Sequence, residues 1–158
     1  MSKITPSLWF DNNLEEAMDF YVSVFPDARI HGVTRYGETG PGKPGSVMTG
    51  DFEIMGQRFN AINGGPEFKF SEAVSFIIDC KDQAEVDYYW TKLTSDGGAD
   101  SYCGWVKDKF GLSWQIIPQA LYRTVTGSDP AGAQRATEAM LKMRKLIVAD
   151  LEKAYAGQ

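Results

Sequence analysis

Two short apolar runs, Ser7 to Phe10 and Val74 to Ile78, have the length and residue types of strands. Each runs into a stretch with helical patterning. Residues 11–21 read DNNLEEAMDFY and residues 79–89 read DCKDQAEVDYY, so that Asp11 matches Asp79, Asp19 matches Asp87 and Phe20-Tyr21 matches Tyr88-Tyr89. Asn12 with Glu15, and Asp82 with Glu85, have the spacing of a capping box, in which a side-chain oxygen accepts from an orphan N–H of the first helical turn. The chain therefore predicts the unit strand–helix twice.

A second echo extends the unit. Residues 54–62 (IMGQRFNAI) align with residues 109–117 (KFGLSWQII), pairing Gly56 with Gly111, Phe59 with Trp114, Asn60 with Gln115 and Ile62 with Ile117. Both read as a glycine-containing hairpin turn followed by a strand. The glycine- and proline-rich stretch from Tyr36 to Ser46 is a loop that lengthens the first copy. The order of the two echoes predicts one βαβββ module written twice in an α+β fold. Module 1 covers about residues 1–66 and module 2 about 70–118, together a paired domain over 1–118. Residues 119–158 fall outside the repeat and predict a helical extension. Gln119 to Val125 has one or two turns, Asp129-Pro130 is a helix start, and Ala131 to Met143 and Leu146 to Ala156 have helical spacing. The extension is expected to pack on the sheets or on a partner subunit.

Composition narrows the function classes. Hydrophobic content of 43% and charged content of 23% are those of an ordinary globular chain. A net charge of −5, with the basic residues scattered, argues against a nucleic-acid or anionic-membrane surface. The two cysteines, Cys80 and Cys103, have no metal-ligand spacing, and the N-terminal residues lack the apolar core of a secretory signal. No apolar run could cross a bilayer, and a cytoplasmic location is expected.

The segments SLWFDNNLEEAMDFYVSVFPDA, NGGPEF, DQAEVDYYWTKL and CGWVKDKFGLSWQIIP, in that order, resemble the PhnB-like proteins of the glyoxalase/bleomycin-resistance (vicinal oxygen chelate) superfamily, often labelled 3-demethylubiquinone-9 3-methyltransferase-like. The resemblance spans residues 4–118, and the helical tail also resembles that of the PhnB-like group. It implies curved four-stranded sheets, one per module, around a cup that holds a divalent metal and a small substrate in many members, and it implies a homodimer. The methyltransferase label is discounted, because no glycine-rich strand–turn–helix for a methyl donor's adenosyl group is visible.

In the metal-dependent members, His and Glu occupy four inward positions near the start of the first strand and on the last strand of each module. The resemblance places these at Thr5 or Pro6, Ala73 or Val74, Asn60 and Gln115. Two neutral amides without a carboxylate would hold a hard ion weakly. Glu72 is one residue off a ligand position, which on a strand means the opposite face, and His31, the sole histidine, reads as a surface or structural imidazole. No metal and no cofactor are therefore expected.

Alternation then assigns the inner face. With Asn60 and Gln115 inward, Phe59 and Trp114 pack under the helices. Counting from Pro6 turns Leu8 and Phe10 toward the cup and Trp9 toward the core. Ser75 and Ile77 face the cup on the fifth strand, and Cys103 and Trp105 share a face on the seventh. Asn63, in the turn Asn63-Gly64-Gly65-Pro66, is a further ligand candidate, whereas Asp51 and Glu53 fall on an exposed hairpin. Cys103 has no base beside it and is expected to be an ordinary thiol. Leu8, Phe10, Asn60, Asn63, Ser75, Cys103, Trp105 and Gln115 thus form the expected ligand-binding set. It describes a mainly apolar, aromatic pocket for a small cationic or neutral planar molecule. The alternatives are a metal-dependent lyase, isomerase or dioxygenase of the superfamily, or a non-catalytic structural or regulatory dimer.

Overall fold

The protein is described by a computed structural model covering residues 2–158. Thirteen elements follow in the order β1 (Ser7–Phe10), α1 (Leu14–Val24), β2 (Ala28–Arg35), β3 (Val47–Ile54), β4 (Gln57–Asn63), β5 (Ser75–Cys80), α2 (Gln83–Leu93), β6 (Ala99–Asp100), β7 (Trp105–Lys107), β8 (Ser113–Pro118), α3 (Gln119–Val125), α4 (Pro130–Leu141) and α5 (Val148–Ala156). They fall into two compact units, one through Phe70 and one from Ser71 to Gln158. The helical extension belongs to the second.

In the first unit the sheet order is β1-β4-β3-β2, with β1 parallel to β4 and the remaining pairs antiparallel. Leu14, Ala17, Met18, Tyr21 and Val24, spaced to share one side of α1, are all buried. They lie over β3, where Gly50 leaves room for the Met18 thioether. A Cβ at Gly50 would stand 2.7 Å from Met18 Sδ and 3.4 Å from Leu14 Cδ2. Phe52 completes the layer, stacked on Tyr21 at 6.1 Å and on Phe59 at 5.3 Å between ring centroids. The β3–β4 turn places Met55 and Gly56 at φ 48° and 85°, two consecutive positive values as a type I′ hairpin demands. On the outer rim, the β2–β3 register breaks between Ile30 and Gly32 and between Thr34 and Arg35.

The second unit repeats the plan with sheet order β5-β8-β7-β6 and β5 parallel to β8. Val86, Tyr89 and Leu93 of α2 are buried. Asp82 accepts from the Glu85 amide at 3.0 Å while Glu85 Oε2 accepts from the Lys81 amide at 2.8 Å, so the capping signal holds for this helix. It does not hold for α1. Asn12 adopts φ 60°, Asn13 occupies the N-cap without a side-chain cap bond, and the Leu14 amide donates instead to Asn63 Oδ1 at 3.0 Å.

The extension folds back on its own unit. Ile117, Leu121, Leu146 and Leu151 form a buried cluster flanked by Val125, Met140 and Met143. The helix predicted over 131–143 runs from Pro130 to Leu141, with Asp129 accepting from the Gly132 amide at its start. Among the described residues, no helix is long and apolar enough to cross a membrane.

Candidate functional site

One face of each sheet is covered by its helix, and the other carries the polar residues. Ser7 is the register partner of Asn60, and Asp51 is the partner of Asn60 on the other side. Their side chains meet. Ser7 Oγ donates to Asn60 Oδ1 at 3.1 Å and Asn60 Nδ2 donates to Asp51 Oδ1 at 3.1 Å. The neighbouring Glu53 accepts from Arg29 at 3.1 Å and pairs with His31 at 3.2 Å. Arg29 is the register partner of Glu53 and His31, two residues on, shares its face, while the register break at His31 sets Gly32 opposite Asp51. The hydrogen bond from His31, with Arg29 alongside, holds the Glu53 carboxyl below its ordinary range. Asp51, Glu53, Arg58 and the N-terminal Ile4 and Thr5 border a depression of about 480 Å³.

Two sequence-based assignments on β1 and β4 are corrected here. Leu8 and Phe10 are register partners of Ala61 and Asn63, on the face turned toward α1, and are buried at 7% and 2% exposure. They are core residues. Trp9 takes the open face instead, where its indole N–H donates to Gly65 O at 2.9 Å and its ring meets Phe68 edge-on at 4.9 Å. Asn63 is likewise structural. It is buried, its Oδ1 caps α1, its Nδ2 donates to Val47 O at 3.1 Å, and its carbonyl accepts from the Tyr36 hydroxyl at 2.5 Å.

On the second sheet the open face brings together Ser75, Ile77, Trp105, Lys107, Ser113 and Gln115. Trp105 and Gln115 are cross-strand partners, Ile77 is Gln115's partner on the other side, and Gln115 Nε2 donates to Ser75 Oγ at 2.9 Å. Phe59 and Trp114 lie on the opposite faces, buried at 4% and 3%. Cys103 does not share a strand with Trp105. It sits in the turn before β7 at φ 58°, with its thiol donating to Met140 O at 3.7 Å, and it faces the C-terminal segment rather than the sheet. The following Gly104, also at positive φ, is what turns the chain there.

At one end of this face the expected Trp105 is joined by residues that sequence reasoning did not place in the site. Glu72, Asp100, Ser101, Trp105, Lys107 and Ser113 border a cleft of about 260 Å³. Lys107 Nζ forms an ion pair with Glu72 and holds the Glu72 carboxyl below its ordinary range. Ser113 is fully buried, and its hydroxyl has no hydrogen-bond partner. A buried hydroxyl without a partner costs about 1–3 kcal/mol, which sets Ser113 apart from the other polar groups of this cleft. The signal in the sequence was its parity, since Ser113 is two residues from Gln115 and hence on the same face.

The superfamily's metal does not fit these residues. Asn60 and Gln115 supply amides, already engaged by Ser7, Asp51 and Ser75. Pro6 and Thr5, or Ala73 and Val74, supply no imidazole or carboxylate. Among the described residues, no three His, Cys, Asp or Glu side chains converge as a metal site requires.

The comparisons with known proteins agree with this architecture. The family model for 3-demethylubiquinone-9 3-methyltransferase matches residues 2–117. The PhnB protein of Bacillus cereus is 36% identical over 74% of this chain and 99% of its own, with a TM-score of 0.67. A Pseudomonas aeruginosa protein is 17% identical over 75% of this chain and 98% of its own, with a TM-score of 0.61. The fosfomycin resistance protein FosX of Listeria monocytogenes is 12% identical over 75% and 93%, with a TM-score of 0.53. The last two likenesses concern the fold alone. No curated protein matches the sequence. With a family model spanning nearly all of both βαβββ units and a PhnB relative above one-third identity, the chain belongs to the PhnB-like 3-demethylubiquinone-9 3-methyltransferase family.

Proposed function

We propose that the protein binds a small, largely apolar or aromatic molecule on the open face of its second sheet, without the metal used elsewhere in the superfamily. The observation that carries this reading is the buried, partnerless Ser113 hydroxyl at the wall of the cleft beside Trp105. Small-molecule sites combine apolar and aromatic walls with a few fixed polar groups. Here Trp105 and Ser113 line the cleft, while on the adjoining part of the open face Ile77 adds apolar surface and Gln115 a polar point, held in place by its bond to Ser75. A volume of about 260 Å³ suits a molecule of one or two fused rings.

The family's methyltransferase description finds no support in the local structure. A methyl donor's adenosyl group is held by a glycine-rich turn between a parallel strand and a helix. The β1–α1 connection is Asp11-Asn12-Asn13 and the β5–α2 connection is Lys81-Asp82, neither with a glycine, and each sheet has a single parallel pair. The homodimer implied by the family is part of the same proposal and is read by light scattering.

The reading is tested by NMR titration with neutral aromatic fragments that carry one hydrogen-bonding atom, such as quinoline and 2-naphthol. Shifts should map to Trp105, Ser113 and Gln115, and Gln115→Leu and Trp105→Ala should abolish them while the fold persists. Unchanged affinity in both variants would place the site elsewhere.

A further inference from the structure

The family match ends at residue 117, yet the segment between α4 and α5 reaches back to the wall of the cleft. It is tied down on two sides. The Cys103 and Gly104 amides donate to Met143 O and Arg144 O, each at 2.8 Å. Gly104 is required at this contact, because a Cβ there would stand 2.9 Å from Ile116 O and 3.0 Å from Leu146 Cδ1. On the α2 side, Gln83 donates to Leu146 O at 3.1 Å and accepts from the Val148 amide at 2.7 Å, and Lys145 pairs with Asp87 at 2.8 Å. The segment is therefore a fixed strap.

Arg144 is the residue through which the strap touches the cleft. Its Nη2 and Nε donate to Asp100 Oδ1 at 2.7 and 3.2 Å, and Nη2 also donates to Asp100 O at 2.7 Å. The guanidinium lies 4.7 Å from the Tyr102 ring centroid. Asp100 lines the cleft on β6, a strand of two residues whose ladder partners are Val106 and Lys107. So short an edge strand has little stability of its own. With Asp100 bound to Arg144 and Glu72 bound to Lys107, both carboxylates at the cleft are matched by a cation.

We infer that Arg144 is a specificity-determining residue of the cleft: by neutralising Asp100 and fixing the β6–β7 turn, the C-terminal strap makes the site select an uncharged occupant. This rests on the cleft being the ligand site. Without Arg144 the cleft gains an uncompensated carboxylate, and a cation of the same shape should become the better ligand.

The test compares quinoline with N-methylquinolinium, two probes of nearly equal shape and different charge, on the full chain. Wild type should prefer quinoline. Arg144→Gln should move the affinity ratio toward the cation by about two- to fivefold, the range for a half-exposed charge. Adding Asp100→Asn to Arg144→Gln should restore the wild-type ratio, and Arg144→Lys should keep most of it. An unchanged ratio in Arg144→Gln, or no restoration in the double variant, overturns the inference. A second readout needs no ligand: with 5-fluorotryptophan incorporated, the Trp105 19F resonance should shift in Arg144→Gln while that of Trp9 stays. If neither probe binds wild type, the cleft reading fails and with it the selectivity. The 19F result then decides the remaining claim, that Arg144 sets the wall, and an unmoved Trp105 signal refutes it.

Discussion

Gln115 hydrogen-bonds Ser75 at 2.9 Å although its register partner on β5 is Ile77. The corresponding bond in the first unit, Ser7 to Asn60 at 3.1 Å, joins direct register partners. The two copies of the module therefore differ by a two-residue slip between first and last strand. A slip of two leaves every side chain on its original face, so the serine–amide pair survives it. The longer glutamine side chain spans the diagonal that asparagine would not reach. In the second unit the slip sets Ser75 opposite Ser113, which borders the cleft.

Ser113 is expected to separate stability from binding. Ser113→Ala removes a buried hydroxyl that has no partner, so the variant should be more stable than wild type by about 1 kcal/mol. The same change should weaken quinoline binding. Urea denaturation beside a fragment titration checks both, and a loss of stability would mean that the hydroxyl is engaged within the protein.

Asn63 should behave in the opposite way. Asn63→Ala deletes the cap on α1 and the bond to Val47 O, and should cost about 2–3 kcal/mol. Fragment binding to the second unit should be unaffected in the folded fraction. A near-neutral urea midpoint would contradict the assignment of Asn63 as structural.

Trp114 is 3% exposed and donates to Asp108 Oδ2 at 2.9 Å. Trp114→Ala should cost about 3–5 kcal/mol through lost packing. A cost within error of zero would overturn the assignment of β8's faces.

The two thiols should differ in reactivity. Burial, reinforced by Glu85, Asp79 and Asp82, pushes the Cys80 thiol up from 9.0 to about 12. Because the folded value is raised, the associated stability is complete below pH 9.0 and is lost as pH rises toward 12. At pH 8, iodoacetamide should modify Cys103 well before Cys80, with Cys80 reacting only on unfolding. Peptide mapping by mass spectrometry reads the order directly.

Acid should loosen the ion pairs. Glu53, Glu72, Asp87 and Asp100 all titrate below their ordinary values of 4.5 for Glu and 3.8 for Asp, each held down chiefly by a hydrogen bond from a basic partner. Depressed carboxylates stabilise the fold above those ordinary values, and that contribution fades as pH falls through the lower folded ones. The Trp105 19F signal should therefore move as pH falls below those ordinary values, as Arg144 and Lys107 lose their partners. A signal that stays constant through the acid range until the protein unfolds would refute the coupling.

The internal echo made the paired modules legible, and it singled out Asn60 and Gln115 because both copies place an amide at the same step. The face of β1 was not legible by counting from Pro6. Strand alternation gives parity only relative to a known partner, and that partner is set by the parallel pairing of Ser7 with Asn60. The apolar pair Leu8 and Phe10 was the better signal, since a helix-covered face is the apolar one. Cys103 was missed for a different reason. A cysteine before glycine looked like strand, but the φ of 58° is stabilised by bonds to residues 40 positions later, which local pattern does not contain. Asn63 looked like a turn residue, and its cap on α1 likewise depends on a distant amide.

The two register breaks along β2 carry a consequence for association. This eight-residue strand forms the rim of its sheet, and Ile30 and Val33 on it are 40% and 42% exposed. A straight apolar rim of that length would be a template for further strands and so for aggregation. The kinks at His31 and near Arg35 interrupt the even spacing of its outward N–H and C=O groups. A foreign strand can then dock on a few residues only before the ladder falls out of step. The irregularity beside His31 thus opposes growth of the sheet at this rim.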